Sequence, residues 1–279
     1  MIDRRWKTLR RNRAAMFGAL VVGLVLFAAI GADLIATHDP ETRQDTFRDP
    51  PSTTHWLGTD ENGFDVFSRL IFGARASLMA AFGAVGCALL VGVPLGLIAG
   101  WHGGWIDGVI MRLVDVMLAF PSVLLAIAIA AMLGEPSLTT VVIAVAVVMI
   151  PPFIRQVRAA VLQVKTQEYV TAARALGAPD RRILFRTILP NCIAPILVLA
   201  TLNTGIAILD AAGLSFLGLG PPVTTPEWGV MLTNALRYIE RNEQWMLLPP
   251  GLAISLTVLG FNLLGDGLRD AFDPRQSSS

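Results

Sequence analysis

An all-α membrane protein with six transmembrane helices is the fold class this sequence predicts, and three observations predict it. Of its 279 residues, 54% are hydrophobic and only 15% charged, and the mean hydropathy is +0.60, too apolar for an ordinary soluble domain. Six apolar segments, at 16–36, 78–100, 109–133, 138–154, 193–209 and 247–264, are separated by polar stretches. Helices of about 20 apolar residues cross a hydrocarbon layer of roughly 30 Å. With both termini in the cytoplasm, only Arg43, Arg48, Arg69, Arg75, Arg237 and Arg241 of the 22 Lys and Arg fall outside, the bias the positive-inside rule demands. The formal net charge of +1 argues neither for nucleic acid nor for an acidic substrate.

Taken in order, Arg4, Arg5, Lys7, Arg10, Arg11 and Arg13 precede the first apolar run. That run is longer than a signal-peptide core, so an uncleaved first helix starting in the cytoplasm is expected. The stretch 38–77, rich in Pro, Asp and Thr, is expected to form loops and a short helix outside the membrane. In the second span Gly92, Gly96 and Gly100 recur every four residues, a track of small residues that permits close helix packing, and Pro94 is placed to kink it. The third span carries Arg112 and Asp115 at i and i+3, spaced to satisfy one another or placed to face the bundle interior. The fourth runs through Pro151-Pro152 into a polar loop, and the fifth and sixth flank a polar outer segment. Cys87 and Cys192 have no CxxC or nearby His and read as small packing residues.

The polar loop is the most informative stretch. In EYVTAARALGAPDRRILFRTILP, residues 168–190, Tyr169, Ala172, Ala173 and Leu176 share one helical face, with Glu168 and Arg174 on other sides. Gly177 suits a left-handed C-terminal cap, and Asp180 is placed to N-cap a second turn. A helix of about ten residues is marginal alone in water and needs a surface to lie on. That surface is either another protein or lipid headgroups.

Two stretches carry a family resemblance. Ala172-Ala173, Gly177 and Leu189-Pro190 resemble the cytoplasmic "EAA" loop of the membrane subunits of ATP-binding-cassette (ABC) importers of type I fold, with Thr171 and Thr187 departing from the pattern. HWLGTDENGFDVFSRLIFGARASL resembles the C-type permease of dipeptide and oligopeptide importers, with Leu57 to Asp60, Gly63, Asp65, Ser68, Arg69, Gly73 to Arg75 and Ser77 matching and Phe64 where Arg is usual. SFLGLG and PEWG in the last outer segment are similar to the same family. The resemblance implies a type I permease fold in a bacterial inner membrane. It divides the chain into 1–72 (tail, first helix and extracytoplasmic loop), a transmembrane domain over 73–268 with a coupling loop at 155–190, and a cytoplasmic tail at 269–279. It implies that Glu168, Tyr169, Ala172, Ala173, Arg174, Gly177 and Asp180 couple to an ATPase. The implied partners are a homologous B-type permease, two ATPase subunits that bind ATP and Mg, and an extracytoplasmic substrate-binding protein.

No chemistry of its own is expected of the chain. Its lysines, Lys7 and Lys165, follow no glycine-rich phosphate loop. No carboxylate pair, Ser/His/Asp set or metal-ligand spacing appears, and His38, His55 and His102 are isolated along the chain and read as loop or interface residues. No metal or cofactor is expected. Asn203, Asp210 and Asn262, polar groups within apolar spans, are expected to line the passage. Three functions are weighed: a peptide-importer permease, a permease of the same family for nickel or another small solute, and a membrane-embedded enzyme that lacks a recognisable catalytic set.

Overall fold

The structure, a computed structural model, describes residues 9–236 and 243–272. Arg4, Arg5, Lys7, Arg237, Arg241 and the tail 273–279 lie outside the described residues. Eleven helices are labelled here: α1 (Arg13–Ile30), α2 (Ala32–Ile35), α3 (Val66–His102), α4 (Gly104–Leu118), α5 (Ser122–Leu133), α6 (Leu138–Lys165), α7 (Glu168–Ala175), α8 (Asp180–Ile183), α9 (Leu189–Phe216), α10 (Trp228–Leu236) and α11 (Gln244–Phe272). A π-helical turn, Leu184–Ile188, joins α8 to α9. The only pairing of extended backbone among the described residues is a bridge between Thr59 and Asp65.

Among the described residues, five helical stretches are long and apolar enough to cross a membrane: Arg13–Ile30, Val66–His102, Leu138–Lys165, Asp180–Phe216 and Gln244–Phe272. A sixth crossing exists only if α4 and α5 count together, because they are bent by 92°. The third predicted span is therefore broken. Pro121 stops the amide ladder after Ala119 and restricts Phe120 before it, and the chain restarts at Ser122. The predicted Arg112–Asp115 pair is also corrected. Asp115 instead accepts from Arg155 Nη2 of α6 at 2.6 Å, and Asp107 takes both Nε and Nη2 of Arg158.

The packing spine is α3 against α6. A Cβ on Gly92, Gly96 or Gly100 would stand 2.6–2.7 Å from the Cβ of Phe153, Val157 or Val161. The three glycines are thus the places where α6 side chains touch the α3 backbone, the geometry that small-residue tracks allow. Helix α3 runs unbroken through Pro94. At about 1.5 Å per residue its 37 residues exceed the hydrocarbon thickness, and 66–77, within the stretch where loops and a short helix are expected, is the continuous first part of that helix. Helix α11 packs between α1 and α9. Gly18 of α1 lies against the backbone of Gly260 and Leu264. Leu20, Phe27, Leu90, Leu124, Met132 and Leu252 face outward, as expected where lipid replaces water. Cys192 is packed, whereas Cys87 is exposed on α3 rather than packed as expected.

Candidate coupling site

Helix α7 hangs below α6 on a short turn, held by its own end. Gly177 has φ +77; its N–H donates to Arg174 O at 3.0 Å, and the Ala178 N–H donates to Ala173 O at 3.1 Å. This pair of bonds is a Schellman cap, which satisfies carbonyls that a free helix end leaves bare. Glycine is required because left-handed backbone costs other residues about 1–2 kcal/mol; no atom lies within 4 Å of a Cβ there, so the demand is conformational rather than steric.

The mount beneath α7 is apolar. Val170 is buried with Ile183, Ile188, Cys192 and Ile196, and this cluster reaches Leu97 and Trp101 of α3 and Val157 and Val161 of α6, with Ala173 and Ala178 packed on its edge. The opposite face is bare. Leu176 is 88% exposed and Tyr169 46%, and Glu168, Ala172 and Arg174 are exposed beside them. Of the two alanines, Ala172 belongs to the open face, while Ala173 is turned toward the cluster and half-buried. The period of 3.6 could not separate them, because both lie within one broad stripe.

Two further features were not legible in the sequence. Lys165 and Arg174 place their cations 5.4 and 5.1 Å from the centre of the Trp101 ring, an attraction between cation and aromatic face that ties α6 and α7 to the end of α3. The π turn at Leu184–Ile188 follows from Pro190. Having no N–H, Pro190 cannot continue the ladder to Arg186; the Leu189 amide reaches back to Leu184 O instead, and Asn191 Nδ2 caps Thr187 O at 2.6 Å. Asp180 does not cap α8. It is the first residue of that helix, with Pro179 at the cap position and no side-chain bond.

At the far end of α3 the two outer motifs meet. Asp65 N-caps α3, its Oδ2 accepting from the Ser68 amide at 2.8 Å and hydroxyl at 2.7 Å. Asp60 folds the preceding turn by accepting from the Asn62 and Phe64 amides; burial nevertheless pushes its carboxyl above the usual range. Arg69 donates to Val223 O and Thr225 O, and Trp228 Nε1 donates to Leu70 O at 2.9 Å. A Cβ on Gly73 would meet Trp228 Cδ1 at 2.7 Å, which is why glycine opens GAR-SL. Glu227 is buried, accepting from Ser77 Oγ and from the Gly229 and Val230 amides. Phe64, where the family pattern has Arg, is fully buried with the Arg69 guanidinium 4.4 Å from its ring centre. An aromatic platform thus takes the place of a second cation.

The polar residues of the spans are spread along α9 and α11. Asn203 is buried, its Nδ2 without a partner among the described residues. Asp210 and Asn262 are half-buried, and Asn262 Oδ1 lies against Gly205. The histidines are isolated along the chain but not all in space: His38 and His55 come together beside Asp65, with ring centres 4.7 Å apart.

The described residues thus form a multi-pass bundle that presents a capped, half-bare helix at one end and a loop cap at the other. The chain belongs to the family described as binding-protein-dependent transport system inner membrane component, which matches residues 92–278. The N-terminal transmembrane domain of oligopeptide transport permease C matches residues 2–51. The dipeptide transport system permease protein DppC of Alkalihalophilus pseudofirmus is 48% identical over 98% of this chain and 90% of its own length. The di/tripeptide permease DppC of Pseudomonas aeruginosa is 48% identical over 97% and 91%, and the glutathione permease GsiD of Escherichia coli 47% over 97% and 89%. Among solved structures, the methionine ABC transporter MetNI in inward-facing conformations aligns with TM-score 0.59 at 20% identity, over 74% of this chain and 97% of that one. The chain is therefore a multi-pass inner-membrane subunit with a type I permease fold.

Proposed function

We propose that this permease forms half of the passage through which an ATP-driven importer carries di- and oligopeptides, with both termini in the cytoplasm and α7 as its coupling helix. The observation that carries the reading is the open face of Tyr169, Ala172 and Leu176 on a helix whose other side is fixed to the bundle. Such a face fits a helix-in-groove contact. Two ATPase subunits, which hold ATP and Mg, close on nucleotide binding and push α7. The push passes from Val170 through Ile183 and Ile188 to α3, α6 and α9, and alternating access follows if these helices have two stable packings. A homologous B-type permease supplies the other half of the passage. An extracytoplasmic binding protein delivers cargo to the cap formed by the outer motifs. Peptide cargo is supported by the names of relatives close to half identical over nearly the whole chain, and the glutathione permeases among them keep it within short peptides.

The test uses the assembled importer. Gly177→Val forces a β-branched residue into left-handed backbone and loosens the cap, so uptake of labelled dipeptide should fall at least tenfold while the complex still assembles and hydrolyses ATP. Full-rate uptake in Gly177→Val removes α7 from coupling. In cells lacking other importers, accumulation of labelled nickel in place of labelled dipeptide overturns the cargo assignment.

A further inference from the structure

Among the described residues, one cluster of metal-ligating side chains lies apart from the candidate coupling site. His38 follows α2, His55 lies in the loop beyond it, and Asp65 caps α3. One donor atom from each lies within 4.8 Å of the other two. His55 Nδ1 is 2.8 Å from Asp65 Oδ1, and His38 Nδ1 is 3.8 Å from the same oxygen.

We propose that His38, His55 and Asp65 form a binding site for a divalent cation of the Zn2+ class, which clamps the end of the first span to the start of the second. Zinc bonds of 2.0–2.2 Å to nitrogen and oxygen place neighbouring tetrahedral ligands about 3.3 Å apart. The two His–Asp65 separations straddle that value, each within about 0.5 Å of it, and the two ring nitrogens, within 4.8 Å of one another, close toward the same spacing as the ion seats. The carboxylate is prepared for it. The Asp65 side chain is fully buried, and both Ser68 donors hold its Oδ2, which leaves Oδ1 turned to the two rings. Ser68 also accepts from the His38 amide at 3.0 Å, so one serine orients two ligands from behind, the outer-shell support that metal sites use. Access is from the His38 side, 28% exposed, where a crevice of about 510 Å³ carries the carboxylates of Asp33, Asp39 and Glu41. Two imidazoles and one carboxylate select Zn2+, Ni2+ or Cu2+ over Ca2+ and Mg2+, which take oxygen ligands. Binding replaces the hydrogen bond between His55 Nδ1 and Asp65 Oδ1, with the neutral imidazole carrying its proton on Nε2; water completes the coordination.

The experiment is calorimetric titration of Zn2+ into the purified, chelator-treated importer, with Co2+ absorption as a second probe of tetrahedral geometry. One ion per permease is expected. His38→Gln leaves the His55–Asp65 hydrogen bond in place, should leave thermal unfolding without metal unchanged, and should weaken Zn2+ binding at least tenfold; His38→Gln/His55→Gln should abolish it. Failure of the wild-type importer to bind Zn2+, or equal affinity in His38→Gln, overturns the proposal. Because the readout is metal binding, neither outcome depends on the cargo or on α7.

Discussion

Gly96 shows how little space a single residue is given. A Cβ there would stand 2.7 Å from Val157 Cβ and 2.8 Å from Ile154 O, whereas at Gly86 of the same helix nothing lies within 4 Å. In a helix, alanine is better than glycine by about 0.5–1 kcal/mol, while overpacking costs about 1–3 kcal/mol. Gly86→Ala should therefore raise the unfolding temperature in detergent and Gly96→Ala lower it; shifts of equal sign would mean α3 and α6 do not meet at Gly96. Glu227 offers a pH test. Burial, the largest influence, holds its carboxyl above the ordinary 4.5 against the pull of the Gly229, Val230 and Ser77 donors. The folded protein keeps that proton to higher pH than the unfolded chain does. Its contribution is complete below 4.5 and is lost as pH rises through the folded value. The stability of wild type relative to Glu227→Gln should accordingly grow on acidification toward pH 4.5, and a difference flat with pH would sink this account of the site.

At the scale of elements, α4 is tied to the bundle by charge more than by burial, since Val114 is its one buried residue, whereas α5 is held by Ala126 and Ala130 in the core. Arg158 grips Asp107 with two nitrogens, with side chains 31% and 18% exposed. Arg155 meets Asp115 with one, and both are over half exposed. Hydrogen bonds to charged groups in sheltered positions are worth about 1.5–3 kcal/mol, exposed pairs about 0.2–1. A double-mutant cycle on thermal unfolding, Asp107→Asn with Arg158→Gln, should give a coupling of about 1.5 kcal/mol or more, and the Asp115–Arg155 cycle less than about 1. Helix spacing pointed to Arg112 as the partner of Asp115 because it sees only one turn away. The true partner is 40 residues on, beyond the reach of any periodicity. The break between α4 and α5 was hidden for a similar reason: Pro121 was visible, but a proline inside an apolar run marks a kink in some helices and a sharp corner in others, as unbroken α3 with Pro94 shows.

For the whole molecule, the passage is the property that no single helix owns. If Asn203, Asp210 and Asn262 serve it, replacing each with alanine should reduce dipeptide uptake severalfold while the assembled importer is recovered in normal yield. Unchanged uptake in all three variants would assign them to packing between α9 and α11. Much of the candidate coupling site was legible, because a helix, its Gly177 stop and its Pro190 restart are local events written in consecutive residues. The division of its faces was not: Ala172 and Ala173 are chemically the same, and only the cluster of Val170, Ile183 and Ile188 decides which one is covered.

By itself, the sequence determined the class of protein, the positions of its apolar segments and the local stop and restart of helix around Gly177 and Pro190, because hydropathy, glycine at positive φ and proline without an amide act within a few residues. Tertiary structure alone decided which charges pair, where the third segment turns through 92°, and that two histidines far apart along the chain share one carboxylate. Those outcomes depend on helices brought together by packing and on the cost of leaving buried charges and amides unpaired, energies that exist only after the chain has folded.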